Sequence, residues 1–348
     1  MYAIDRDINV AYGISQWRPD PLWEIEAGLR YNFFDSKKNF HNLGPRLSVK
    51  HRLTDTSNLR AATGVYYQYQ HRIPRFAFTD IFTVSNDEQD ESRSIHAIIG
   101  WQREFLRRYS FEVEGFFKDY HNIYQFDQAF LPELEETGHD VDGDPIFTNT
   151  KGLFDRGDGD SIGLEFLLRK DSGALTGWLA YSLARTNFQF DDTNQARSFS
   201  PRHDRTSTVN IVTGLDLKNG WRKLRGRPKR ADAGKWSIGA NYVYGSGQPI
   251  TEPGSAYLIA SSPSQPGVNV EFAPTLINNV RLPAYTRLDI SLTYFRDFGS
   301  WSMAPYVQLF NAGNRKNIWF IDYDDGGPEV DTVGMMPLLP SLGVDFTF

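Results

Sequence analysis

Hydrophobic and polar residues alternate one by one along most of this chain. The alternation is clearest in residues 23–33, 109–120, 286–296 and 341–348. In 286–296, for example, Leu288, Ile290 and Leu292 are separated by charged or hydroxyl-bearing residues. Side chains of a β-strand point alternately to the two faces of a sheet, so this period of two predicts strands with one apolar and one polar face.

The same alternation, bounded by turn residues, predicts about thirteen strands. Each is ten residues or slightly longer, the length that a tilted strand needs to cross the hydrocarbon layer of a membrane. The strands are expected near 5–16, 21–34, 43–53, 57–70, 92–106, 109–123, 159–171, 175–190, 205–217, 235–247, 286–298, 301–313 and 335–348.

The connections between these strands alternate between short and long. Short ones lie at 18–20, 55–56, 107–108, 172–174 and 299–300, and long ones at 35–42, 71–91, 124–158, 191–204, 248–285 and 314–334. Outer-membrane barrels have tight periplasmic turns and long extracellular loops, so the asymmetry favours a barrel over a soluble sandwich. The segment 218–234 departs from the pattern, because it is long where a short turn is expected.

Tryptophan positions support the membrane interpretation. All but one of the eight tryptophans lie near the short-turn ends of the predicted strands: Trp17, Trp23, Trp101, Trp178, Trp221, Trp236 and Trp301. Indole rings prefer the interface between lipid and water, where the N–H group reaches the headgroup layer. The alternative is that these tryptophans fill the core of a sandwich.

Composition narrows the class further. The 348 residues include 40% hydrophobic and 14% aromatic residues, yet the mean hydropathy is -0.47. No apolar run reaches the length of a membrane helix, whereas barrel strands are compatible with this polar average. The net charge of -6 argues against nucleic acid as a partner, and the absence of cysteine excludes thiol chemistry and disulfides. The sequence contains no signal peptide. It also contains no catalytic constellation, so we expect that the protein is not an enzyme.

A membrane sheet must close, because hydrocarbon offers no partners for the backbone groups of an open edge. With thirteen strands, the first and last run in the same direction and cannot close as an antiparallel pair. The prediction is therefore an all-β, transmembrane antiparallel β-barrel segment over residues 1–348, forming the C-terminal portion of a larger barrel. A miscounted strand would instead allow a complete barrel of about fourteen strands.

Several stretches resemble the barrel of TonB-dependent receptors. The most specific is the stretch 281–289, which begins Arg281-Leu282-Pro283-Ala284-Tyr285 and leads to Leu309-Phe310-Asn311-Ala312-Gly313-Asn314-Arg315. Others are Ser161-Ile162-Gly163-Leu164-Glu165-Phe166, Thr176-Gly177-Trp178-Leu179-Ala180-Tyr181-Ser182, Gly245-Ser246-Gly247-Gln248-Pro249 and the stretches 43–48 and 59–64. The end of the chain resembles the closing strand, whose aromatic residues Phe346 and Phe348 are implied to be the signal for barrel assembly.

The resemblance spans nearly the whole chain and corresponds to about the last thirteen of the family's twenty-two strands. It implies energised import of a scarce nutrient, such as a ferric siderophore, cobalamin or a glycan, across the bacterial cell outer membrane. Outer-membrane lipid, the TonB complex and a plug domain would be partners, although the plug itself is absent from this sequence. Two alternatives stay open: a passive porin-like channel of about fourteen strands, and a plugless barrel acting as a structural subunit of an outer-membrane assembly.

Candidate ligand-binding residues lie in the long connections. Tyr257, Phe272 and Tyr285 combine aromatic rings with the amides of their loop, as ligand mouths do, although packing between loops would explain them equally. Arg202 and His203 lie at the outer end of a strand and form a second candidate pair.

One acidic segment is a candidate metal site. Asp140, Asp142 and Asp144 place carboxylates at alternate positions, as Ca²⁺ ligands often are, but the downstream Glu of an EF-hand is missing. A solvated acidic loop is the simpler explanation, and we expect no other cofactor.

Charged residues are expected in two places, a basic connection and the polar face of the strands. The basic connection 218–234 could contact anionic headgroups or a partner protein, or could simply be solvated. A set of charged residues is expected to face a polar lumen: Arg30, Arg46, Lys50, Glu112, Glu114, Glu165, Arg287 and Asp289.

Overall fold

A computed structural model describes most of the chain as one large antiparallel sheet. The described residues are 7–73, 81–126, 136–139, 145–147, 154–191, 193–217, 235–252, 256–260, 268–272, 276–323 and 330–348. Thirteen strands form the sheet, and each pairs with its neighbours in sequence order. The predicted all-β architecture and the predicted number of strands are confirmed.

The strand bounds follow the alternating stretches closely. In chain order they are β1 Ile8–Trp17, β2 Trp23–Phe34, β3 Phe40–Thr54, β4 Ser57–Gln68, β5 Ser92–Phe105, β6 Tyr109–Phe126, β7 Phe154–Lys170, β8 Leu175–Phe190, β9 Ser207–Asp216, β10 Lys235–Gly245, β11 Tyr285–Asp297, β12 Ser302–Phe310 and β13 Leu339–Thr347. The strands β3, β6 and β7 extend beyond the predicted segments at the end where the long connections lie, which we call the outer end. We call the short-turn end the inner end.

The register separates an apolar face from a polar face. Phe111 pairs with Leu168 and Ile290 with Leu309 on the apolar face, and the register also places Trp23, Trp101, Val113, Leu288 and Leu292 there. The polar face carries the charged residues predicted to face the lumen, including the cross-strand pair Glu114 and Glu165. The predicted division into two faces therefore holds across β2 to β13.

Very few apolar side chains are buried within the chain itself. The small core cluster consists of Phe34, Phe40 and Tyr69 at the outer end. On the apolar face, by contrast, Leu342 is 85% exposed and Phe348 at the chain end is 95% exposed. A water-soluble protein rarely exposes so extended an apolar surface, whereas lipid would cover it at no cost.

The first strand is an exception to the common arrangement. In β1, Ile14 pairs with Gly28 and Tyr12 with Arg30, so Ile8, Val10, Tyr12 and Ile14 share the polar face, whereas Trp17 pairs with Ile25 on the apolar face. Asn9, Gly13 and Ser15 take the apolar side instead.

Trp178 in β8 is a second departure from the predicted faces, because its partner Arg169 belongs to the polar face. The expectation that its ring enters lipid is therefore wrong.

Short hairpins extend the long connections, which the sequence pattern did not predict. They pair Gln70–Ile73 with Ile81–Val84, Glu136–His139 with Pro145–Phe147, Pro249–Ile250 with Val280–Arg281, Ala256–Ala260 with Val268–Phe272, and Ile318–Tyr323 with Val330–Gly334. The connection after β8 contains one 3-10 turn, Asn194–Ala196. In the described ranges, the structure contains no helix of the length and apolarity that a membrane crossing requires.

Candidate functional site

Two outer connections, 191–206 after β8 and 276–284 before β11, are joined by an ion pair whose carboxylate is buried. The Arg281 guanidinium lies 2.6 Å from Asp204, whose side chain is only 2% exposed. Arg281 also donates to the carbonyl oxygen of Gly247, and the backbone N–H of Thr186 donates to the other Asp204 oxygen. Because a buried carboxylate is costly unless it is paired, this contact fixes the two connections against each other.

Amide side chains add a second set of links between the same connections. The Asn194 side chain donates to the carbonyl oxygen of Ile277 and accepts from its N–H, at 3.2 and 2.6 Å. Asn278 donates to the carbonyl oxygen of Ser200. Asn194, Gln195 and Ala196 all have φ between 53° and 58°, a left-handed conformation that costs about 1–2 kcal/mol for a residue other than glycine. Such strain concentrates at ligand-binding segments.

These linked connections enclose a cavity of about 440 Å³. Its volume is within the range of small-molecule sites. The exposed Arg197 supplies a positive charge, Phe199 an aromatic ring, and Asn278 and Asn279 supply amides. The remaining lining residues are Asn194, Ser198, Ser200, Pro249, Leu276, Ile277, Val280 and Arg281. The cavity is thus suited to an anionic or strongly hydrogen-bonding ligand.

Three of the five predicted ligand residues follow lining residues closely in sequence, although none of them lines the cavity. Tyr285 begins β11 on the polar face, where its hydroxyl accepts from Arg287 and the Arg205 guanidinium lies 5.9 Å from its ring centroid. His203 is exposed and packs edge-on against Phe188. Arg202 is exposed and forms no ion pair with any residue in the described ranges. A role for these side chains in binding stays a prediction.

The other predicted site residues are less well defined. Tyr257 and Phe272 occupy one hairpin, in which Tyr257 pairs with Glu271 and Phe272 with Ala256, but their side chains are outside the described part of the chain. Asp140, Asp142 and Asp144 also lie outside the described residues, as does the basic segment 218–234. Among the residues that are described, no group of three or more His, Asp or Glu side chains is arranged to hold a metal ion.

The polar face carries a row of carboxylates within the sheet. Glu114 and Glu165 lie directly opposite each other on β6 and β7. Like charges in such cross-strand pairs destabilise a sheet unless a cation compensates them. Arg60 contacts the next carboxylate, Glu112, at 3.4 Å, and also hydrogen-bonds Gln102. Among the described residues, Glu114 and Glu165 make no ion-pair contact of their own.

At the end of the chain, Phe346 pairs with Met303 on the apolar face of β13, and Phe348 follows the end of that strand.

Asp204, Arg281 and Asn194 were not predicted as site residues. Their partners are far away in sequence, so no local pattern could have identified them.

Comparison with known proteins agrees with this architecture. Residues 2–312 match the family model described as TonB dependent receptor-like, beta-barrel. No curated protein matches the sequence.

Several solved structures share the fold at low sequence identity. The ferric yersiniabactin uptake receptor FyuA from Yersinia pestis has a TM-score of 0.62 at 12% identity, covering 98% of this chain and 45% of that one. The pyoverdine receptor FpvA from Pseudomonas aeruginosa PAO1 gives 0.63 at 10%, covering 98% and 42%. The ferric citrate transporter FecA gives 0.58 at 14%, covering 99% and 46%.

The chain thus spans less than half the length of each of these receptors. The family match covers most of the sequence, and the thirteen-stranded antiparallel sheet with one apolar face is the architecture expected for that match. This chain belongs to the TonB-dependent receptor β-barrel family.

Proposed function

We propose that this chain forms the C-terminal part of the wall, and the outer loops, of a receptor that imports a scarce nutrient across the bacterial outer membrane. The family supports a receptor energised by the TonB complex. Among the residues that the structure describes, β1 and β13 each pair with a single neighbour in the sheet, so further strands at both edges would allow the sheet to close. Those strands, and a plug domain, would come from other parts of the receptor.

The nutrient that fits best is a ferric chelate of the siderophore class. The observation that carries this proposal is the cavity between the linked outer connections, with Arg197 and two asparagines in its lining. Ferric chelates commonly present negatively charged oxygens, which guanidinium and amide groups bind well. The similar structures named for yersiniabactin, pyoverdine and ferric citrate are consistent with this class. Cobalamin and glycans are the competing classes.

A plug domain would supply a cation for the Glu114–Glu165 pair. Within the described part of the chain these two carboxylates make no ion-pair contact, since Arg60 contacts Glu112 instead. Basic side chains of a plug would offset this repulsion and hold the plug against this part of the wall. Replacing both residues, as in E114Q/E165Q, should then weaken retention of the plug, while the same change at an exposed outer carboxylate such as Glu88 should not.

Uptake in the native cell tests the proposed function. Deletion of the gene should reduce uptake of radiolabelled iron supplied as citrate, catecholate or hydroxamate chelates, and removal of TonB should reduce it equally. Labelled cobalamin and an oligosaccharide serve as the other arms. Loss of cobalamin or oligosaccharide uptake alone would contradict the iron class. Uptake that persists without TonB would indicate a passive channel, and unchanged uptake of every probe would favour a structural subunit.

A further inference from the structure

Two neighbouring turns at the inner end bring two cationic side chains together. Residues 106–108 connect β5 to β6, and residues 171–174 connect β7 to β8. The backbone N–H of Asp171 donates to the carbonyl oxygen of Arg108 at 3.1 Å, which ties the turns to each other. A Cβ atom placed on Gly173 would lie 3.4 Å from Lys170 Nζ and 3.8 Å from Arg108 Nη1. Both nitrogens therefore approach one point that glycine leaves open.

The first turn has a backbone suited to a tight connection. Leu106 and Arg107 both have φ of 51°, which is typical of the hairpin turn that follows the twist of its strands. Leu106 is 78% exposed at the tip. The turn therefore fixes the backbone position from which the Arg108 side chain extends.

An aromatic pair of the apolar face lies beside Lys170. Lys170 pairs with Tyr109, and its Nζ lies 5.7 Å from the Tyr109 ring centroid. The Tyr109 ring in turn stacks on Phe105, with centroids 5.3 Å apart and planes at 11°. Basic and aromatic side chains at the end of an apolar strand face are typical of the layer where lipid headgroups lie.

The two charges have no carboxylate partner within the described part of the chain. Lys170 donates one hydrogen bond, to the carbonyl oxygen of Leu175 at 2.6 Å. The nearest candidate, Asp171, is instead 3.0 Å from Arg169, the neighbouring residue that belongs to the polar face. Two cations that converge without a counter-ion repel each other, and an anion between them would offset that repulsion.

We propose that Arg108 and Lys170 bind the phosphate of a membrane phospholipid at the inner end of the sheet. A phosphodiester has oxygens that can accept from a guanidinium and an ammonium at once. Gly173 places no side chain between the two nitrogens, and the acyl chains would continue over the apolar face past Phe111 and Leu168, which pair in the register. A phospholipid fits better than free phosphate because the site borders the lipid-covered face.

A matched pair of double variants tests this proposal. R108Q/K170Q removes the two converging charges, whereas R52Q/R107Q removes two exposed charges from the same end of the sheet and leaves both the site and the Arg169–Asp171 ion pair in place. The whole receptor that contains this chain, assembled in its outer membrane and purified in detergent, is titrated with dioleoylphosphatidylglycerol and followed by native mass spectrometry. We expect R108Q/K170Q to bind the first lipid about tenfold more weakly, a loss of about 1.4 kcal/mol, and the control to change less than twofold.

Two further measurements separate lipid binding from failed assembly and from binding of a free anion. R108K/K170R keeps both charges and should bind lipid like the unaltered chain, even if R108Q/K170Q fails to assemble. Inorganic phosphate at the same concentration should not displace the lipid. Equal losses in R108Q/K170Q and in the control would overturn the proposal, as would a loss in R108K/K170R as large as that in R108Q/K170Q. Complete displacement by inorganic phosphate would do the same, because it would identify a free-anion site.

Discussion

Arg281 and Asp204 form an ion pair of 2.6 Å that joins the two connections bordering the outer cavity. Arg281→Met would leave the buried Asp204 carboxylate without its cation. We expect this change to destabilise the linked connections by about 2–4 kcal/mol, since the guanidinium is partly exposed and water can compensate in part. Hydrogen exchange of residues 193–204 and 276–282 should rise accordingly.

Asp204→Asn provides the control for that variant. In the background of Asp204→Asn, Arg281→Met should cost much less, because no unpaired charge remains after the arginine is removed. Equal effects of Arg281→Met in both backgrounds would show that the ion pair does not hold the connections together.

Replacing Ala196 by glycine should relieve the backbone strain of the left-handed turn beside the cavity. Ala196 has a φ of 57°, which glycine adopts without steric cost. We expect Ala196→Gly to stabilise the 191–206 connection by up to about 1 kcal/mol, after the greater freedom of glycine in the unfolded chain is subtracted. Ala184→Gly, in the middle of β8, is the matched comparison and should destabilise. A loss of stability on Ala196→Gly would mean that this turn is not left-handed.

The outer hairpin between β4 and β5 should loosen in acid. His71 is 5% exposed, with its ring nitrogens 2.9 Å from Ser85 Oγ and 3.1 Å from Ser92 Oγ. Burial lowers the pKa of His71 from 6.5 to about 4. Between these values the unfolded segment takes up a proton that the folded segment does not, so stability falls as the pH drops from about 6.5 to 4. The loss approaches about 3 kcal/mol.

Hydrogen exchange of residues 81–92, corrected for intrinsic rates, measures this loss at pH 7, 5.5 and 4. His71→Gln keeps a hydrogen-bonding side chain but cannot titrate in this range. Its segment should therefore show a weaker pH dependence than the unaltered chain. An identical pH dependence in the two proteins would assign the effect to other groups.

The reversed alternation of β1 makes a separate prediction. A shift of one residue in register would move every side chain of a strand to the other face. With the register observed, Tyr12 shares the polar face and Gly13 the apolar face. Tyr12→Cys should react readily with a charged, water-soluble methanethiosulfonate, and Gly13→Cys should react slowly. The opposite order would show that β1 pairs one residue out of the observed register.

Strand number and facing were predictable because they depend on local alternation. In β11, Leu288, Ile290 and Leu292 occupy one side, and lipid imposes the same demand on every such strand. The sequence pattern was less informative in strands that have apolar residues on both faces. In β1 the pairing with β2 determines which side each residue takes, and Trp178 follows the register of Arg169 and not the general preference of indole for lipid.

The outer cavity was not predictable from local pattern. Asn194 reaches Ile277 across 83 positions, and Arg281 reaches Asp204 across 77. The sequence indicated aromatic and basic residues in the long connections, and it identified Tyr285 as one of them. It gave no indication that side-chain amides would link these connections, because such contacts arise only after the sheet has brought β8 and β11 to the same edge of the outer surface.

Spin labels on β11 test most directly the central claim that lipid covers one face of the sheet and the lumen lies along the other. The chain has no cysteine, so single substitutions at Ile290, Ser291, Leu292 and Thr293 can each be labelled uniquely in the membrane-inserted protein. We predict that labels at 290 and 292 are accessible to oxygen and shielded from a water-soluble nickel chelate, and that labels at 291 and 293 show the reverse. Uniform accessibility at the four positions, or the opposite alternation, would contradict the assignment of the faces.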